Sequence, residues 1–335
     1  MNDMILKKES FENFINGLSR SFDRIITPKN IDGIILFTEG ADNLTLDFIR
    51  AKKSPKEVVF PSTEVIFSFE KKGKDVILNP VDFSSFPSTV VFGLKPCDAA
   101  LFPILDNLFS WDYKDSFYLE RRKKTFLISI ACTKSDDFCF CTSVGLAPDS
   151  TLGSDIILYP LKNGNFKVKP VTEKGDELLN NLNSNFDKAN GNEELSEIAA
   201  IKQEIDVEKV KKWLDTHFDD PVWAEHTLSC IGCGTCAFIC PTCHCFDIVD
   251  EGDSLKGVRR KNWDGCAFSK FTLHASGHNP RDIQPARYRQ RIMHKFKYYK
   301  ERFGTLLCTG CGRCSEACPS GIEITEILKA IENKG

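Results

Sequence analysis

The chain lacks an apolar stretch of bilayer-spanning length, and its charged start, MNDMILKKESFENF, contains no apolar signal core. Both absences argue against membrane insertion and export, and predict a cytoplasmic protein. An excess of charge of either sign is also lacking. A net charge of −3 and a pI near 6.1 leave no electrostatic footprint for nucleic acid or an anionic membrane. No helix-turn-helix, P-loop or Ser/His/Asp arrangement is present, and no credible flavin or nicotinamide fingerprint. Gly232-x-Gly234-x-x-Ala237 imitates a dinucleotide loop, but no strand leads into it. A catalytic set is therefore not expected. What the chain has in quantity is cysteine, fifteen in 335 residues. Without an export signal, these read as metal ligands in a reducing compartment rather than as disulfides.

Eight of the fifteen fall in two runs of one pattern, C-x-x-C-x-x-C-x-x-x-C-P. The first is Cys230, Cys233, Cys236 and Cys240 with Pro241, the second Cys308, Cys311, Cys314 and Cys318 with Pro319. This is the ligand run of bacterial two-cluster ferredoxins, in which the fourth cysteine serves the other cluster. It predicts one [4Fe–4S] cube on Cys230, Cys233, Cys236 and Cys318, and a second on Cys308, Cys311, Cys314 and Cys240. Zinc also uses C-x-x-C pairs. A tetrahedral zinc site has no use for a third and fourth cysteine plus proline, twice over. Cys240-Pro-Thr-Cys243-His244 fits a haem-attachment pattern, but Cys240 is already required by a cube. Gly232, Gly234, Gly310 and Gly312 are expected to let the backbone approach the clusters.

Length suggests about two domains. Residues 8–24 place Phe11, Phe14, Ile15 and Leu18 at helical spacing. Strand-like runs follow at 31–38, 58–69, 75–80, 88–94 and 125–131. Residues 98–109 read as a helix with Asp98 as N-cap. Strand, helix, strand predicts an α/β layer with a parallel crossover. Residues 156–170 read as a hairpin with a type I′ turn at Asn163-Gly164, and 173–185 and 206–217 as helices. The polar stretch 187–197 is the candidate boundary. The expected organisation is an N-terminal α/β domain (1–190), a helical linker (191–225) and a mostly helical two-[4Fe–4S] ferredoxin-type domain (226–335), an α+β or α/β chain overall. The ligand runs begin at Cys230 and Cys308, whereas a minimal two-cluster ferredoxin separates them by roughly thirty to forty residues. Residues 241–307 therefore contain a large insertion.

TCHCFDIVDE, RRKNWDGCAFSKFTLHASGHNPR, RYRQRIMHKFKYY and LCTGCGRCSEACP resemble the iron–sulfur subunit family of anaerobic sulfite reductase (its A subunit) and of archaeal sulfhydrogenases (their β subunit). The iron–sulfur subunit of flavin oxidoreductases coupled to heterodisulfide reductase-like complexes shows the same pattern. The resemblance extends through GLKPCDAA (93–100) and SIACTKSDDFCFCTSVG (129–145). It implies an electron-transfer subunit of an anaerobic redox complex, without activity alone. The neighbour it implies carries FAD, a [2Fe–2S] cluster and an NAD(P)H-reactive site, and the far partner is a sulfite reductase, hydrogenase or heterodisulfide reductase-like subunit. Chemistry agrees, because cubes take single electrons, nicotinamides exchange hydrides, and a flavin must mediate. A cluster-based redox sensor and a self-contained iron–sulfur reductase are the alternatives.

Cys97, Cys132, Cys139 and Cys141 follow the ends of two strands expected to be neighbours, where sites are commonly built. They predict a third [4Fe–4S] cluster. Competing readings use some of them with Asp98 or Asp137 as an oxygen ligand, or treat them as small buried residues. Cys243, Cys245 and Cys266 read as packing residues, as a shield for the first cube, or as part of a further site. The basic set Arg281, Arg287, Arg289, Arg291, Lys295 and Lys297 reads as a solvated helix face, with a docking patch for an acidic partner as the alternative. Trp263 and His278 read as structural residues.

Overall fold

A computed structural model describes residues 4–189 and 191–335. The amino half is built on strands β1 (Met4–Leu6), β2 (Arg24–Ile31), β3 (Ile34–Glu39), β4 (Thr63–Lys72), β5 (Asp75–Pro80), β6 (Thr89–Leu94), β7 (Thr125–Ile130), β8 (Ile156–Pro160), β9 (Phe166–Pro170) and β10 (Phe186–Lys188). Eight of them form one sheet in the order β10-β1-β9-β8-β7-β6-β2-β3, with β2, β6, β7 and β8 parallel. Every residue of β6 (TVVFGL) and β7 (TFLISI) is buried, as parallel strands covered on both faces require. Val90, Phe92, Phe126 and Ile128 pack with Phe14, Ile15 and Leu18 of the helix Phe11–Ser21. Val91, Leu94 and Leu127 pack on the opposite face with Leu101, Phe102 and Leu105 of the helix Leu101–Ser110. The α/β layer read from the sequence is present.

Strands β11 (Phe246–Gly252) and β12 (Lys256–Trp263) come from the stretch between the two ligand runs. They extend a second, four-stranded antiparallel sheet in the order β11-β12-β4-β5. The register runs from Lys256↔Glu70 to Asn262↔Thr63, so a strand of the amino half completes the inserted hairpin. Buried Glu64 anchors that junction, ion-paired to Lys261 at 2.9 Å and to Arg121. The carboxyl half packs Val210 and Trp213 of Val207–Leu214 against Ile292, Phe296, Ile327 and Leu328. Among the described residues no helix is long and apolar enough to cross a membrane.

Three local expectations need correction. The run 31–38 is the turn and second strand of a hairpin whose first strand, β2, contains Pro28. Proline is tolerated there because the parallel pairing of β2 with β6 covers only Arg24–Ile26. The type I′ turn lies in this hairpin, at Asp32-Gly33 with φ of 51° and 83°. The hairpin at 156–170 is closed instead by five residues, 161–165, of which only Gly164 is left-handed (φ 86°). Asp98 is not a cap. It lies inside the short helix Pro96–Ala99, fully buried. From Arg287 onward the basic set lies on a helix in three pieces, Gln284–Met293, a π-helical turn His294–Tyr298, and Tyr299–Phe303.

Candidate metal centres

The first ligand run winds through two left-handed glycines, Gly232 (φ 68°) and Gly234 (φ 75°), into the short helix Thr235–Phe238. That turn brings Cys230, Cys233 and Cys236 onto one cavity, which Cys318 of the second run also lines. Cys266, Tyr288 and Arg291 close its walls. The Gln284 amide donates to Cys230 Sγ at 3.2 Å. Cys233 is exposed, and its bond to Thr235 lowers its pKa.

A second cavity is lined by Cys308, Cys311 and Cys314 of the second run and by Cys240 of the first. The fourth cysteine of each run thus faces the other run's cavity. Cys314 and Arg291 line both, so the two voids are neighbours. Lys295 is buried here, its ammonium donating to Cys240 Sγ (3.1 Å), Thr242 Oγ1 (3.2 Å) and Leu307 O (2.9 Å). From the amino half, buried Lys56 donates to the carbonyls of Cys240 (3.1 Å) and Cys243 (2.7 Å).

The third cavity gathers Cys97, Cys132, Cys139 and Cys141. Cys97 follows β6 and Cys132 follows β7, and these strands are hydrogen-bonded parallel neighbours. Their common ends bring distant thiols together. Cys311 and Gly310 form part of the same wall. Gly310 (φ 63°) lies so close to the Cys139–Cys141 segment that an added Cβ would meet Cys141 Cα at 2.5 Å, and Gly312 is pressed likewise on Phe138. The Phe140 amide donates to Gly310 O at 2.9 Å. These two glycines therefore seat the second ligand loop on the amino half, besides any role toward a cluster. Neither oxygen-ligand candidate turns into the third cavity as a free carboxylate. Asp98 is clamped by buried Arg313, with Nη2–Oδ2 at 2.9 Å and Nη1–Oδ1 at 2.8 Å, while exposed Asp137 pairs with Lys202. Arg50, paired with Asp136 and Glu316, donates to Cys139 Sγ at 3.2 Å.

Removing one partner of a buried pair costs about 3–5 kcal/mol, because the other charge is left unpaired. Arg313→Met should therefore destabilise the chain by that amount through orphaned Asp98, read by chemical unfolding under anaerobic conditions. A loss below about 1 kcal/mol, the range of exposed pairs, would deny the clamp its role.

Burial raises the thiols of Cys132 and Cys236 to about 11 and those of Cys141 and Cys308 to about 12. Thiolates are the ligating form, so these sites gain most from a bound positive centre. Among the described residues no three His, Cys, Asp or Glu side chains close round a single ion. Each set of four stands instead around a void.

Cys243, Cys245 and Cys266 do not join the third set. Cys266 lines the first cavity, Cys243 lies against Cys240, and Cys245 lies against Cys266. His244 between them is half-buried and neutral, its pKa lowered by desolvation to about 3. The basic helix is not simply a solvated face, because Arg291 and Lys295 point inward to the cavities. Tyr288, Arg291 and Lys295 recur three and four residues apart, a single helical stripe that the sequence already displayed. Lys56 and Arg50 carried no such signal. Trp263 stacks on Phe60 and lies 3.9 Å from the Lys56 ammonium. His278 pairs with His274 away from the cavities.

Residues 229–322 match the 4Fe-4S dicluster domain family. The chain is 30% identical over 338 residues to Sulfhydrogenase 2 subunit beta of Pyrococcus furiosus, covering 97% of each chain.

Proposed function

The chain belongs to the iron–sulfur subunit family of the sulfhydrogenase β subunits, electron-transfer components of oxidoreductases, and from that premise we propose that it relays single electrons through three [4Fe–4S] centres held in a row. Cys97, Cys132, Cys139 and Cys141 would hold one, Cys308, Cys311, Cys314 and Cys240 the middle one, and Cys230, Cys233, Cys236 and Cys318 the last. Cubes bound there would each take up and release one electron.

The observation that carries this reading is that three sets of four thiols line three consecutive cavities, with Cys311 shared by the first two walls and Cys314 by the last two. The donor chemistry fits a cluster. Every set is all sulfur, and each receives an N–H donor on a ligand sulfur, from Arg50, Lys295 or Gln284. Buried cations offset the negative charge that four thiolates bring. The row has an open end at Cys233, beside Ile231 and Leu228, which are 70% and 88% exposed. A redox partner needs such access.

The chain offers no nucleotide fingerprint, so the hydride chemistry is assigned to a partner carrying FAD, a [2Fe–2S] cluster and an NAD(P)H site. A catalytic redox subunit stands at the other end. The relative's name places it in a multi-subunit hydrogenase, which favours a comparable assembly. Cys308→Ser in the assembled complex tests the relay. It should leave reduction of the partner's flavin by NAD(P)H intact and stop electrons from reaching the far partner. Undiminished transfer would refute a row with its middle at Cys308.

A further inference from the structure

We propose that Lys295 sets the reduction potential of the middle centre and makes it the electron well of the row. The inference rests on the cluster reading above and adds to it which centre holds the first electron.

The helix Gln284–Met293 passes into a π-helical turn at His294–Tyr298. Such one-turn expansions re-aim side chains, often at functional positions. Here the turn carries Lys295 into the second cavity, where only 2% of the residue is exposed. An ammonium has three N–H donors, and all three are used, on Cys240 Sγ, Thr242 Oγ1 and Leu307 O. None of these acceptors is a carboxylate, and among the described residues Lys295 has no Asp or Glu partner. A buried ammonium without a counter-charge is strongly unfavourable. Of its three acceptors, the Cys240 sulfur is the one that can carry negative charge.

The other buried cations are disposed differently. At the third cavity Arg50 is offset by Asp136 and Glu316, and Arg313 by Asp98. Lys95 is left there, its ammonium over the Phe48 ring at 4.4 Å. The first cavity has Arg291, which it shares with the second, and half-buried Arg287, whose guanidinium donates to Gln284 Oε1 and to the Arg281 and Asp282 carbonyls, and it is open to water through Cys233. Around the second stand Lys295 and Arg291, both without a carboxylate partner among the described residues, with Lys56 on the Cys240 and Cys243 carbonyls. Uncompensated positive charge is therefore densest at the middle position. Cluster potentials follow net charge, hydrogen bonds to the sulfurs and solvent exposure. A cation bonded to a ligand sulfur in a dry site favours the more negative, reduced state. The first electron from a two-electron donor thus settles in the middle, leaving both ends free for the second.

The test is an EPR-monitored redox titration of the full chain. In the wild type, the component with the highest midpoint should be the one abolished by Cys308→Ser. Lys295→Met should lower that midpoint alone, making its reduction at least tenfold less favourable, a shift of about 59 mV or more for one electron. Lys295→Arg, which keeps the charge, should restore it. Unmoved midpoints in Lys295→Met with the clusters intact would overturn the proposal, as would a highest-potential component that survives Cys308→Ser. If Lys295→Met assembles no middle cluster, Lys56→Met decides. A lowered midpoint of the same component supports the well, and an unchanged one rejects it. Absence of any cluster signal from the wild type would instead remove the reading on which this rests.

Discussion

Purified without partners, the chain is expected to accept electrons from dithionite and none from NADH or NADPH. Hydride transfer needs a cofactor that can hold two electrons and pass them on singly. The three cavities are lined by the three cysteine sets with small polar, apolar and cationic side chains, and the sequence offers no nucleotide fingerprint that would add such a cofactor. Anaerobic absorbance bleaching near the cluster bands checks this. Dithionite should bleach them within mixing time, and either nicotinamide should leave them unchanged. Adding the FAD-containing partner should restore bleaching by the nicotinamide. Direct bleaching of flavin-free chain by NADH would mean that the amino half carries a nucleotide site of its own.

The second large effect belongs to the amino half. Cys139→Ser with Cys141→Ser removes two of the four thiols from the third cavity. Iron should fall from about twelve to about eight atoms per chain, the content of one cube. One EPR component should disappear while the ferredoxin pair remains. The variant should still fold, since Arg313 and Asp98, not these thiols, clamp the second ligand loop to the amino half. An unchanged iron count would return the four cysteines to the status of packing residues.

The ferredoxin cysteines were legible because their information is local. Spacing and two glycines per run fix a turn whatever surrounds it. The third set was legible by a longer inference, since Cys97 and Cys132 follow strands whose buried runs read as parallel neighbours. What spacing could not convey was the partner of each surface. Nothing in Gly310 or Gly312 announces that they rest on Cys141 and Phe138. The edge of β12 likewise does not declare that it will pair with β4. Pro28 concealed β2, because a proline inside a run argues against a strand unless its missing N–H falls beyond the shared ladder. The basic stretch misled for a different reason. Charge on a helix is usually solvated, and only the stripe Tyr288, Arg291, Lys295 distinguished the inward residues from Arg289, which lies over Phe218 and pairs with Asp219.

Iron and acid-labile sulfide analysis of the anaerobically purified chain, with EPR of the dithionite-reduced sample, tests the three-centre row most directly. The expected result is about twelve iron and about twelve sulfide per chain, with negligible zinc and the interacting signals of adjacent cubes. About eight of each would contradict the third centre. Zinc in place of iron would contradict the relay altogether.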